Sequence, residues 1–355
     1  MSLPSINITF LAKASTAIKR SERGIVCLVI SDSTKTTVLA TYNYLDDVES
    51  ADYTSDNYKA ISDAFHDGAP TVHVVRIGTG KTFVDVKATI EALAFNWIAY
   101  ISADGQSDLV TYIKARNLKN PNRQVKAVVA GTTAPNDKHI VNFGNTAVKR
   151  TTDTEEISAY LYLGRLAGLF AAMPFTRSAT YYTFTDLASV TEVADVDAAI
   201  TAGQLVIIND YGEPKIGRAV NSLTTLATGE NDSLKKITII EAMDLIKEDV
   251  ASTFKSDYIG KYKNNLDNQQ NFIAAVNNYF DKLATEEVLD KEYENIAEID
   301  VAAQRTALID AGTSEASGWD DLKIKRNTVG SMMYLSGNVK ILDAIEDLSF
   351  GISMA

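Results

Sequence analysis

Apolar positions change their spacing along the chain, and each change marks a different element. "GIVCLVI", Gly24 to Ile30, is apolar at every position after its glycine. Such a run is expected of a strand buried on both faces. "TVHVVRI", "WIAYISA" and "QVKAVVAG" are expected to be further strands. Between them, "VDVKATIEALA" and "SDLVTYIKARNLK" space apolar residues three and four apart, the helical period. The alternation predicts a mostly parallel sheet with right-handed crossovers. "NYKAISDAF" predicts another helix, and "VADVDAAITAG" a short one stopped at Gly203. "QLVIIND" and "PKIGRAVNSL" flank the turn "YGEP" and are expected to pair as a hairpin.

The most apolar stretch, Ile157 to Phe175, carries Arg165 near its middle. A buried charge there would cost about 2.5–3.5 kcal/mol on insertion into a bilayer. Asp153 and Glu156 resemble a capping-box start, so "TEEISAYLYLGRLAGLFAAM" is expected to be a core helix. Gly164 and Gly168, four apart, would let another element approach it closely. Further on, "LKKITIIEAMDLIKEDVASTF" and "NQQNFIAAVNNYFDKLATEEVL" read as helices, with Tyr279 and Phe280 as core contacts. "DKEYENIAEID" reads as a solvated face, and the chain from Thr328 onward turns strand-like.

Both ends alternate apolar and small or polar residues. Ile6, Ile8 and Phe10 enclose Asn7 and Thr9, and Leu348, Phe350, Ile352 and Met354 enclose Ser349, Gly351 and Ser353. Ends are normally frayed and polar. Two arrangements account for this pattern. The end strands pair within their own chain, or they leave it and add to a neighbouring subunit's sheet by β-augmentation. In the second case the polar stretch from Lys13 to Arg23 is the N-terminal tether.

Composition narrows the function. Hydrophobic content of 46% and charged content of 23% over 355 residues allow a large core. A net charge of -12 argues against a chain that coats nucleic acid. The single cysteine, Cys27, can form no internal disulfide and lies in a buried-strand pattern. "MSLPSINITF" has no basic region followed by an apolar core, so no secretory signal is expected.

The one motif with a chemical look is "GTGKT", after "TVHVVRI". A phosphate-binding loop needs a glycine five residues before the last one, and Val75 stands there. A dinucleotide fingerprint needs a third glycine where Phe83 stands. The plain reading is a tight strand-to-helix turn at Gly78 and Gly80. Asp104 and Asp210 follow strands, where ribose- or magnesium-binding acids sit, but carboxylates are common there. His66, His73 and His139 have no zinc spacing. His73 is expected to be a strand residue with a satisfied hydrogen bond. "GTSEASG" lacks the glycine of a nucleophile elbow and reads as a loop. No catalytic, cofactor or metal site is expected.

Whole segments carry a resemblance. "SLPSINITFLAKASTAIKRSERGIVCLVI", "EPKIGRAVNSLTTL", "KKITIIEAMDLIKEDVASTFKSDYIGKYKNNLDNQQNFIAAVNNYF" and "LSGNVKILDAIEDLSFGISM" resemble the contractile tail sheath family. The nearest type is the short sheath of Gram-positive phages and phage-tail-like bacteriocins. The resemblance implies a non-enzymatic subunit, stacked as hexameric rings into a sleeve around a tail tube. Terminal arms would be shared between neighbours, and contraction would drive the tube through a bacterial envelope. Partners would be further copies, the tube protein, the baseplate and the tail terminator, with no nucleic acid and no membrane insertion. Assembly would occur in the bacterial cytoplasm, giving a virion tail or a released bacteriocin particle.

The expected fold is α/β: a mixed, mostly parallel sheet flanked by helices, with an α+β C-terminal domain and extended strand-like arms. The expected division is an arm over 1–20, an α/β domain over 21–211, the α+β domain over 212–335 and an arm over 336–355. Ile6, Ile8, Phe10, Leu348, Phe350, Ile352 and Met354 are the expected inter-subunit contacts. Lys255, Lys261 and Lys263 are candidates for a tube-facing surface, by the family's placement of its inner domain. The alternative is a nucleotide-dependent α/β enzyme using the "GTGKT" turn.

Overall fold

A computed structural model describes residues 17–354, which divide into two compact units. One comprises Ser21–Glu248 and the C-terminal segment from Leu342. The other comprises Asp249–Ile341 and the residues up to Arg20. The expected boundary near Gly212 falls inside the first unit.

The first unit opens with β1 (Ile25–Ser31), β2 (Leu39–Tyr42), α1 (Ser55–Phe65), β3 (Thr71–Ile77) and α2 (Phe83–Glu91). Then come β4 (Trp97–Ile101), α3 (Gln106–Lys119), β5 (Lys126–Ala130), β6 (Ile140–Phe143), β7 (Ala147–Arg150) and β8 (Ile157–Ser158). The series continues with α4 (Leu163–Ala172), β9 (Leu187–Val190), α5 (Val196–Thr201), β10 (Gln204–Leu205), β11 (Ile207–Asp210) and β12 (Glu213–Ile216). Helix α6 (Ile237–Thr253) contributes residues to both units.

Seven strands form one sheet in the order β10-β6-β5-β4-β1-β3-β2. All neighbours run parallel except β2, which is antiparallel to β3. The apolar run of β1 has a simple cause. Val26, Leu28 and Ile30 face one core with α1 and α4, while Cys27 and Val29 face a second with α2 and α3. Side chains alternate across a strand, so two covered faces need two apolar sets.

Helix α4 begins later than expected. Ile157 and Ser158 pair with β7, and a 3-10 turn over Ala159–Tyr162 precedes the helix. Asp153 does not cap it, because its carboxylate binds Lys59 and Arg150. The two glycines behave as expected. A Cβ on Gly164 would lie 2.5 Å from the Ala60 carbonyl oxygen, and one on Gly168 2.2 Å from that of Ala64. Only glycine lets the two helix backbones meet this closely. Arg165 is 1% exposed and pairs with Asp67 and Asp186.

"QLVIIND" is split between two sheets: β10 ends the large one, and β11 pairs with β12. Asn145 stabilises the break, accepting from Ile207 N and donating to its carbonyl, both at 2.8 Å. The hairpin turn has Tyr211 at φ 52° and Gly212 at φ 90°. Two left-handed residues in succession match the twist of paired strands. Strands β7, β8 and β9 make a small antiparallel sheet that the apolar pattern did not announce.

The second unit continues with a π-helical turn over Phe254–Tyr258, α7 (Leu266–Thr285), β13 (Ile296–Ile299), α8 (Val301–Asp310), α9 (Asp321–Arg326) and β14 (Leu335–Asn338). Asn265 caps α7 by accepting from Asn268 N at 2.9 Å. Tyr279 and Phe280 are buried, as expected. "DKEYENIAEID" is not simply a solvated face: it contains β13, with Ala297 and Ile299 buried and Glu298 exposed. β13 pairs antiparallel with β14, and Gly337 sits opposite Ala297. The last segment turns strand-like at β14, as expected. Beyond Ile341, residues 342–354 form no strand within their own chain.

Candidate assembly surface

The turn after β3 uses its chemical-looking groups locally. Gly80 has φ +73°. Thr82 and Asp85 form a capping box on α2, with Thr82 N donating to Asp85 at 2.8 Å. Lys81 lies 3.6 Å from Asp85, and Phe83 is buried. Asp104 stands in the turn before α3, and Asp210 pairs with Lys215 at 2.9 Å. These residues are not brought together into one site. Cys27 is buried, and burial pushes its thiol far above the usual range. His73 is bonded through both ring nitrogens, to Thr41 and the Ala94 carbonyl. Among the described residues, no group of three or more His, Cys, Asp or Glu could hold a metal.

A buried ionic cluster joins α6 to the sheet within the first unit. Lys126 Nζ lies 2.9 Å from Asp244 and 3.2 Å from Glu241. His139 Nε2 lies 3.3 Å from the other Asp244 oxygen. Burial alone would raise the Asp244 carboxyl, but Lys126 and His139 outweigh it and hold it well below the usual range. Burial would likewise lower His139, yet hydrogen bonds to Asp137 and Asp244 leave it above its ordinary value.

The C-terminal segment is attached differently. Glu346 accepts from Ser178 Oγ at 2.9 Å and Thr180 Oγ1 at 2.7 Å. Lys236 Nζ lies 3.1 Å from its other oxygen, and Arg218 3.7 Å from it. Asp343 pairs with Lys236 and Asp347 with Arg218, each at 2.6 Å. Burial would raise Glu346, but Thr180, Lys236 and Ser178 outweigh it and hold its carboxyl below the usual range. Beyond this anchor Leu348, Phe350, Ile352 and Met354 are all exposed. Sequence reasoning missed Glu346 and its four partners. The available signal was the acidic set Asp343, Glu346 and Asp347 interrupting an apolar run.

Ile6, Ile8 and Phe10 lie outside the described residues. The expected tether from Lys13 to Arg23 is anchored over its described part. Ile18 is buried, and Lys19 N donates to Thr253 Oγ1 at 3.0 Å. Arg20 pairs with Glu286 and lies over Tyr279. Arg23 pairs with Glu241, which also accepts from Trp97 Nε1 at 2.9 Å. Basic residues spaced along this stretch find carboxylates on the body, so polarity there signals attachment rather than slack. Lys255, Lys261 and Lys263 are exposed beside exposed Ile259 and Tyr262.

The phage tail sheath C-terminal domain family matches residues 230–355. A tail sheath protein of Clostridium phage phiCD119 is 32% identical over 366 residues, covering 99% of each chain. The contracted helical sheath of the anti-feeding prophage aligns with 100% of both chains at TM-score 0.70 and 12% identity. A sheath tail protein of Desulfitobacterium hafniense gives TM-score 0.67 over 83% of this chain and 94% of its own, at 16% identity. At those identities the two structures establish the fold, which is that of contractile sheath proteins. Full-length similarity to the phage protein establishes the rest: the chain belongs to the tail sheath family. It is a structural subunit of a contractile tail sheath and not an enzyme, and the nucleotide-dependent alternative has no support.

Proposed function

We propose that this subunit polymerises as stacked hexameric rings into a helical sleeve around a tail tube, and that shortening of the sleeve drives the tube through a bacterial envelope. The observation that carries the reading is the exposed apolar alternation from Leu348 to Met354. Burying each such side chain is worth about 1.5–3 kcal/mol. Left in water, the set is an unused binding surface.

The second unit supplies a matching acceptor. β13 and β14 form a two-stranded sheet, and among the described residues no further strand pairs with it. Two strands alone are marginally stable. An added strand brings main-chain hydrogen bonds and alternate side-chain contacts. Ile6, Ile8, Phe10, Leu348, Phe350, Ile352 and Met354 are assigned to such docking in neighbouring subunits. About five hydrogen bonds at roughly 0.5–1.5 kcal/mol each add to the apolar term. Ordering opposes them by roughly 1–2 kcal/mol per residue. A single arm is therefore weak, and the sleeve holds because each subunit is tethered several times. Head-to-tail contacts propagate without closing, which gives a rod. Bodies turn rigidly while arms stay paired.

The family's inner domain supports placing Lys255, Lys261 and Lys263 toward the tube. The remaining partners are the baseplate and tail-terminator proteins, with assembly in the bacterial cytoplasm into a virion tail or a released bacteriocin particle. Deletion of residues 348–355, followed by electron microscopy, tests the reading. A folded, unassembled subunit is expected, and sleeves of normal length and order refute it.

A further inference from the structure

Burial along the C-terminal segment is inverted. Ile345 is 97% exposed and Leu348 88%, while the Glu346 side chain between them is 4% exposed. Proteins normally sort these residue types the other way. A buried carboxylate persists only when it is paired and hydrogen-bonded. Glu346 meets that condition, with two hydroxyls on one oxygen and two cations facing the other. The same cations hold Asp343 and Asp347 on either side of it.

We propose that Glu346 is a positioning residue for assembly: its carboxylate pins the root of the C-terminal arm to its own subunit and fixes where Leu348–Met354 leave it. This rests on the reading that those residues dock in a neighbour. The two attachments are chemically distinct. The root is held by charge and the tip by apolar contact, so salt weakens the first and spares the second. Such a pin would confine backbone freedom to the residues after Asp347. An arm loose from Leu342 onward would have more residues to order on docking and would search a larger volume.

The test uses the full-length chain with Glu346→Ala and Glu346→Gln, beside the chain lacking residues 348–355. Amide exchange over 342–347 is measured in the unassembled subunit, and the protein concentration required for sleeve formation by sedimentation and electron microscopy. Glu346→Ala is expected to speed exchange over 342–347 at least tenfold and to raise the assembly threshold at least tenfold. Glu346→Gln, which keeps the hydroxyl bonds, should fall between. It also carries the test should the alanine variant not fold. Raising salt to 0.5 M should speed exchange over 342–347 in the parent chain and also in Glu346→Ala, where the more exposed Asp343 and Asp347 pairs remain. Unchanged exchange and threshold in the substituted chains overturn the pin. Should that happen while the truncated chain fails to assemble, the docking reading stands. Normal assembly of the truncated chain overturns both.

Discussion

Gly168→Ala measures how closely α1 and α4 are packed. The added methyl would lie 2.2 Å from the Ala64 carbonyl oxygen and 2.8 Å from its carbon. Both are main-chain atoms, so no side chain can swing away. Ordinary contact begins at 3.4 Å, so the helices must part by about 1.2 Å. Gaps of roughly 0.5–1 Å already forfeit a quarter to a half of a contact's dispersion energy. The separation would loosen Ala60, Ala64, Leu163 and Ala167, all fully buried. With no side chain able to move aside, the overpacking cost lies in the upper part of its usual range, at about 2–3 kcal/mol. Alanine returns about 1 kcal/mol through better helix propensity. A net loss of about 1–2 kcal/mol is expected, lowering Tm by about 2–8 °C at roughly 2–4 °C per kcal/mol. Thermal denaturation of the unassembled subunit reads it out. Gly78→Ala is the control, because nothing lies within 4 Å of its Cβ position. A Gly168→Ala chain as stable as the parent would refute the close approach.

Arg165→Met removes the cation between Asp67 and Asp186, and breaking a buried pair on one side costs about 3–5 kcal/mol; urea unfolding should show it. His139→Gln should destabilise the chain most in acid. A raised histidine pKa stabilises fully below the ordinary value of 6.5 and ceases to do so as pH rises through the folded value. The difference in urea midpoint between parent and variant should therefore shrink above pH 6.5, and a constant difference contradicts the ionic role. Reversing Lys255, Lys261 and Lys263 to glutamate should abolish sleeve formation on purified tubes; unchanged tube-dependent assembly removes these residues from the tube face.

Much of the large sheet was legible because both its faces are covered. β1 reads as a continuous apolar run for that reason, and β3 was placed to the residue. Strands whose pairing depends on distant partners were not legible. β13 hides in "DKEYENIAEID" because only Ala297 and Ile299 face inward, and β14 completes it from far along the chain. The helix expected from Thr154 started late, since Asp153 serves a salt bridge and a short sheet claims Ile157. At the proposed assembly surface the apolar alternation was visible in sequence. The pin was not, because Ser178, Thr180, Arg218 and Lys236 meet Glu346 only after folding.

The most direct measurement is a cryo-EM map of the assembled sleeve that traces residues 342–354 of one subunit. The account predicts Glu346 on its own Lys236 and Arg218, with Leu348, Phe350 and Ile352 laid along β13 or β14 of an adjacent copy. A map in which Leu348–Met354 turn back and bury against their own body would contradict it.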